Sequence, residues 1–205
     1  IYIFWFLIQY FIRKYLNQIR NKNCKRIKMN EIIFNQIKKE YDDFYRSLFK
    51  RGRLPMWSTE KGFWNASSSD DVYGGFKKIK LHKFKKFLDI GSGDGKVVLI
   101  AALFCKNAEG IEIDDFLHHK ALQMQAKFGF GNVAFHNKDF FEHDFSKYDA
   151  LFLAPDAPLE RGLENKLLKE MKGNLIHYGH HFHPKSLKKE NSFLVNGDLV
   201  TIYSK

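Results

Sequence analysis

The stretch FLDIGSGDGKVVLIAALF, Phe87 to Phe104, limits what this chain can fold into more than any other. An apolar run ends at an acid, three glycines alternate with Ser92 and Asp94, and a second apolar run follows. Phe87 and Leu88 read as the end of a buried strand with Asp89 at its C-terminal tip. KVVLIAALF reads as the start of a helix with an apolar face. A strand, a glycine turn and a helix in that order belong to open α/β sheets, whose ligands bind beyond the C-terminal ends of the strands.

The spacing of the glycines decides which ligand. A P-loop needs four residues between its glycines and a Ser or Thr after the lysine. Gly91 and Gly95 have three between them, and Lys96 is followed by Val97, so that reading fails. The dinucleotide fingerprint needs a third glycine where this chain has Lys96, and Asp94 inside the loop would repel a pyrophosphate. A loop that carries acids suits a ligand with a cationic amino-acid end and no phosphate. S-adenosylmethionine has both properties. Asp89 is expected to hold its amino group, with Gly91, Ser92, Gly93 and Gly95 allowing close backbone approach.

Further acids follow at strand tips. AEGIEIDD reads as a second strand ending in Glu112, about 20 residues on, where an acid can take both ribose hydroxyls. NVAFHNKDFFEHDF supplies a third strand and then Asp139 and Phe140, expected at the adenine. KYDALFLAPDAP supplies a fourth, Asp149 to Leu153, with Ala154-Pro155-Asp156 at its tip, facing the methyl group. NSFLVNGDLVTIYSK closes the chain as two strands around the Asn196-Gly197 turn. The expected fold is α/β: a doubly wound, seven-stranded, mostly parallel sheet with helices on both faces and an N-terminal helical arm.

On these residues, over roughly 53–205, the chain resembles class I S-adenosylmethionine-dependent methyltransferases. FLDIGSGDGKVVLIAA is similar to that family's first motif and GIEID to its second, which implies a cofactor contact for Ile113 as well. More narrowly it resembles the small archaeal and mitochondrial protein-lysine methyltransferases, many of whose bacterial relatives carry an N-terminal membrane segment. The resemblance implies protein lysine as acceptor. It also implies that Ser68, in ASSSDDVYGGF, contacts the cofactor's carboxylate, although PMWSTEKGF is similar to the same upstream segment. The Asn/Asp-Pro-Pro-Tyr tetrapeptide of amino-directed DNA and glutamine methyltransferases is missing after the fourth strand. No catalytic base is assigned; Asp156, His177, His180, His181 and His183 are candidates, the histidines on a strand expected to line the substrate mouth. No metal site is expected, since neither a HExxH pattern nor a CxxC pair is present. An RNA methyltransferase and a non-catalytic, membrane-tethered cofactor-binding module are the alternatives.

Charge separates an arm from a body. The net charge is +11, yet residues 1–53 hold 13 Lys/Arg against 4 Asp/Glu, and residues 54–205 hold 21 against 19. A near-neutral body makes nucleic acid the less favoured partner. Residues 1–12 are apolar or aromatic except for Gln9, and a run of lysines and arginines without acids follows as far as Lys28. This is read as a membrane anchor at the cytoplasmic face, whole or the end of a longer apolar segment, with its basic stretch drawn to anionic lipid; a core helix packed on the domain or an interfacial amphipathic helix is the alternative. The expected division is 1–28 for the anchor and basic stretch, 29–53 for an amphipathic helix and linker, and 54–205 for the catalytic domain. Ile33, Ile37, Tyr41, Phe44, Tyr45 and Leu48 form the apolar stripe of that helix, expected to pack on the domain.

Overall fold

The computed structural model describes residues 28–59 and 62–205. The apolar and basic arm expected to meet a membrane lies outside the described residues, Lys28 excepted. Among the described residues no helix is long and apolar enough to cross a membrane. Two compact units are distinguished, Ile1–Gln36 and Ile37–Lys205, and the second carries all that follows.

Helix α1 runs over 28–50. It is followed by a hairpin of β1 (Met56–Thr59) and β2 (Gly62–Asn65), then by helix α2 (Ser69–Lys78). From β3 (Lys86–Ile90) onward strands and helices alternate: α3 (Lys96–Ala101), β4 (Asn107–Glu112), α4 (Asp115–Phe128), β5 (Val133–Asn137), β6 (Ala150–Leu153), α5 (Leu163–Glu170) and β7 (Asn174–Tyr178). The chain ends in β8 (Lys188–Val195) and β9 (Asp198–Ser204). The seven strands β3 to β9 form one sheet in the order β5-β4-β3-β6-β7-β9-β8. Strands β3 to β7 are mutually parallel, and β9 is antiparallel to both β7 and β8. The expected doubly wound sheet with its antiparallel end is therefore present. Asn196 and Gly197, both at positive φ, form the turn of the last hairpin.

The central strands are apolar on both faces because both faces are covered. On one face Leu88, Ile90, Leu151 and Leu153 pack with Phe145, Leu163, Leu167 and Met171, under α5. On the other, Phe87 and Phe152 meet Phe76 of α2, the rings edge-on with centroids 5.5 and 5.7 Å apart. The half of α1 that begins at Ile37 belongs to this body, with Ile37, Tyr41 and Leu48 buried. Its rim is held by ion pairs, Glu40 to Lys127 of α4 at 2.5 Å and Lys38 to Asp70 of α2. Lys120 of α4 lies 4.2 Å from the centre of the Phe44 ring.

Strand β3 reaches α3 through a turn in which Gly91, Gly93 and Gly95 all have positive φ. This turn lies directly across β4. A Cβ on Gly110 of that strand would fall 2.6 Å from the Ser92 hydroxyl and 2.8 Å from a Val98 methyl. Gly95, at φ 81°, leaves the loop with the Ala121 methyl and the Phe135 ring each 2.6 Å from where its Cβ would be. Gly129, which ends α4 at φ 65°, has open space at the same position. The two sites separate backbone strain from crowding. Gly129→Ala is expected to cost about 1–2 kcal/mol, the left-handed penalty alone. Gly95→Ala is expected to cost about 1–3 kcal/mol more, from overpacking. Urea unfolding of the two variants measures the difference, and equal losses would contradict the crowding.

Candidate active site

A cavity of about 330 Å³ opens at the C-terminal ends of β3, β4, β5 and β6. Asp89, Gly91, Ser92, Gly93, Glu112, Ile113, Asp139, Phe140 and Ala154 all line it, as the sequence leads one to expect. Two expected residues do not. Gly95 is absent from the wall, being taken up in the packing against Ala121 and Phe135. Ser68 is absent because it serves as the N-cap of α2, its hydroxyl accepting from the Asp71 N–H at 3.4 Å; its neighbour Ser67 lines the cavity instead.

Asp89 is buried against this cavity, 3 % exposed. Burial pushes its carboxyl well above the usual range, and the nearby charges of Glu112 and Asp94 add to the effect. An acid in this state is stabilised by a cation delivered into the cavity, which is what an amino group would be. Glu112 is raised by burial too, and three backbone N–H groups offset part of that. Gly93 donates to one of its carboxylate oxygens at 2.8 Å, while Ile113 and Asp114 donate to the other at 2.9 and 2.8 Å. These bonds fix the carboxylate at the strand tip and lock the glycine turn to β4. Asp139 accepts from the Phe141 N–H at 2.9 Å, which starts a single turn of 3-10 helix, and the Phe140 and Phe141 rings lie tilted against each other with centroids 4.7 Å apart. Ser92 faces Gly110, and its buried hydroxyl has no hydrogen-bond partner among the described residues.

Asp94 also lines the cavity wall. It is held by α1: the Tyr45 hydroxyl donates to its carboxylate at 2.6 Å and the Tyr41 hydroxyl to its carbonyl at 2.8 Å. The Lys96 N–H donates to the same carboxylate at 3.2 Å. The Lys96 side chain is buried, lies 4.7 Å from the centre of the Tyr45 ring and donates to the Ser67 carbonyl. Burial lowers the pKa of Lys96, and the charge of Asp94 works against that shift. Trp64 of β2 closes the loop from above; a Cβ on Gly93 would sit 2.4 Å from its indole nitrogen. Tyr45, Trp64, Trp57 and Phe116 then run as a row of touching rings. Sequence reasoning finds the stripe that carries Tyr41 and Tyr45. It does not find their partner, since nothing in a helix face names the loop it will meet.

Asp156 lies exposed at the tip of β6, where its carboxylate accepts from the Phe63 N–H of β2. It thus clasps the hairpin to β6 while lining the cavity. The four histidines depart from expectation as well. His177 is fully buried on β7 and stacks on His183 at 4.3 Å; burial lowers its pKa to about 4, with His183 contributing. His180 and His183 bond the Gly197 carbonyl and the Tyr203 hydroxyl, and none of the four lines the cavity. Residues that do line it and that sequence did not single out include Trp64, Phe141 and Arg161.

The raised acids have a measurable consequence. Between the ordinary carboxylate range, about pH 4, and the pH at which Asp89 ionises, the folded chain holds more protons than the unfolded one. Stability without ligand is therefore expected to fall as pH rises through that window. Asp89→Asn removes the largest buried charge and is expected to flatten the slope. Chemical unfolding of both proteins over this range tests it, and parallel slopes would refute it.

The fit to a methyl donor is chemical as well as geometric. The wall has acids where a cationic end and hydroxyls would lie, and aromatic rings at Phe140 and Phe141 for a base. Comparison with known proteins agrees in fold. An RNA methyltransferase from Salinibacter ruber, solved in complex with S-adenosyl-L-homocysteine, is 24% identical with a TM-score of 0.57, over 67% of this chain and 92% of its own. A putative methyltransferase from Escherichia coli is 16% identical with a TM-score of 0.51, over 64% of this chain and 80% of its own. The N-methyltransferase NodS from Bradyrhizobium japonicum is 13% identical with a TM-score of 0.51, over 64% of this chain and 92% of its own. No curated protein sequence matches the chain. The family described as "Methyltransferase domain" matches residues 81–183, half of the sequence and the whole run from the approach to β3 through β7. The chain belongs to the methyltransferase-domain family.

Proposed function

We propose that this protein is a class I S-adenosylmethionine-dependent methyltransferase whose acceptor is the side-chain amine of protein lysine. The observation that carries the first half is Asp89, a buried carboxylate facing a cavity whose other acids stand at neighbouring strand tips. Asp89 would hold the amino group, Glu112 the ribose hydroxyls, and Asp139 with Phe140 the adenine, while Ala154 to Asp156 border the methyl end. The donor, when bound, supplies a methyl group already activated on a sulfonium. The protein's task is then to position the acceptor and exclude water, rather than to supply a strong acid or base.

The cavity's exposed side supports a lysine acceptor. Phe63, Phe141, Pro158 and Asp156 are exposed there, a short apolar sleeve with one carboxylate. An alkylammonium fits such a sleeve: its stem lies on the rings and its head is drawn to Asp156. Lysine must shed a proton before it can attack, and apolar surroundings lower its pKa in that direction. The near-neutral charge of residues 54–205 favours protein over nucleic acid. Association of the basic arm with anionic membrane at the cytoplasmic face remains part of the proposal on the strength of its charge pattern.

Two measurements test these halves separately. Asp89→Asn is expected to weaken S-adenosylmethionine binding by about 10- to 100-fold, the worth of one charge-assisted hydrogen bond of about 1.5–3 kcal/mol. Unchanged affinity in calorimetry would remove Asp89 from the site. The acceptor is tested by giving the protein methyl-labelled donor and cell extract, then splitting the products. Protease-sensitive label that hydrolyses to methyl-lysine, lost in Asp89→Asn, is the expected result. Nuclease-sensitive label would overturn the lysine assignment and favour RNA.

A further inference from the structure

Away from the cavity, three potential metal ligands converge from separate parts of the sequence. Glu109 stands on β4, His136 on the adjacent β5, and His143 just past the 3-10 turn that follows β5. Their nearest ligand atoms all lie within 4.8 Å of one another. His136 Nε2 is 2.8 Å from Glu109 Oε2, and the two imidazole rings are 4.9 Å apart. Tyr148 completes the group: its hydroxyl donates to the same Glu109 oxygen at 2.8 Å and lies 2.7 Å from His143 Nε2. His143 is buried, 7 % exposed, and its other ring nitrogen has no partner among the described residues. None of the four residues lines the cavity.

We propose that Glu109, His136 and His143 form a binding site for a divalent transition metal, with Zn2+ the ion its donors suit best. Two imidazoles and one carboxylate are a donor set that zinc takes readily, with a fourth position left to water. Bonds of about 2.0–2.2 Å to zinc separate neighbouring ligand atoms by about 3.3 Å in a tetrahedron. The present separations reach from hydrogen-bond distance to 4.8 Å, so small side-chain rotations bring the three donors to that spacing. The side chains of His136 and Glu109 are 33 % and 24 % exposed, which gives an ion a path in from solvent. Tyr148 would serve as the outer partner that orients the carboxylate. A metal here would tie β4, β5 and the segment after β5 together, and that segment begins with Asp139 and Phe140 of the cavity wall.

The test titrates the full chain, first stripped with a chelator, with Zn2+ alone against a chromophoric competitor, and follows the thermal midpoint. One equivalent is expected to bind and to raise the midpoint. Co2+ in its place is expected to give visible absorption of a tetrahedral site. Glu109→Gln and His136→Asn are each expected to weaken binding at least about tenfold, and circular dichroism checks that each is folded. Substituting His180 and His181 together with Asn should leave binding unchanged. No stoichiometric uptake by the folded protein would overturn the site, leaving a hydrogen-bonded cluster only. So would uptake that Glu109→Gln and His136→Asn leave intact, or that depends on His180 and His181.

Discussion

Three carboxylates withheld from water at the ends of two adjacent strands set the terms for this structure. Asp89, Asp94 and Glu112 are each less than a tenth exposed, and the charges of Glu112 and Asp94 raise the cost of ionising Asp89. The chain answers each differently. Glu112 is met by three backbone N–H groups, which also shape the glycine turn. Asp94 is met by a phenol from α1 and the buried lysine two residues on. Asp89 lines the cavity beside them. Acids gathered at one rim, two of them met by internal donors, suit this turn between strand and helix to positive charge.

The sheet is the scaffold that makes this arrangement affordable. Parallel strands end at the same level, so acids scattered along the sequence arrive at one rim. Helices on both faces keep that rim dry. The glycines of the loop permit the close crossing over Gly110 that brings Ser92 and Gly93 against β4. The hairpin β1–β2 adds a cover, with Trp64 over Gly93 and the Phe63 N–H bonded to Asp156.

Much of this was legible in the sequence, for a physical reason. Strand order, the glycine turn and the acids at strand tips are local patterns, and Asp89, Glu112 and Asp139 occupy the rim as their spacing implied. What escaped the sequence depends on distant pairing. Ser68 looks like a ligand residue and is a helix cap, its hydroxyl turned to the first turn of α2 with Asp70 and Asp71. The clasp that Asp156 makes could not be read, since its donor lies in a hairpin 93 residues earlier. The histidines after β7 form a conspicuous cluster on paper and point elsewhere. Glu109, His136 and His143 form no motif at all and meet only when β4 and β5 pair.

The helix that holds Asp94 also bears on where the working protein begins. A boundary near Gly52 follows the change in composition, and the family match starts later still, at residue 81. Yet Tyr41 and Tyr45 lie before both points. A fragment cut at either would leave Lys96 without the aromatic faces that shelter it and Asp94 without its phenol. The compact unit that carries the site reaches back to Ile37, well before the sheet begins, and the Asp94 contacts of α1 lie within it.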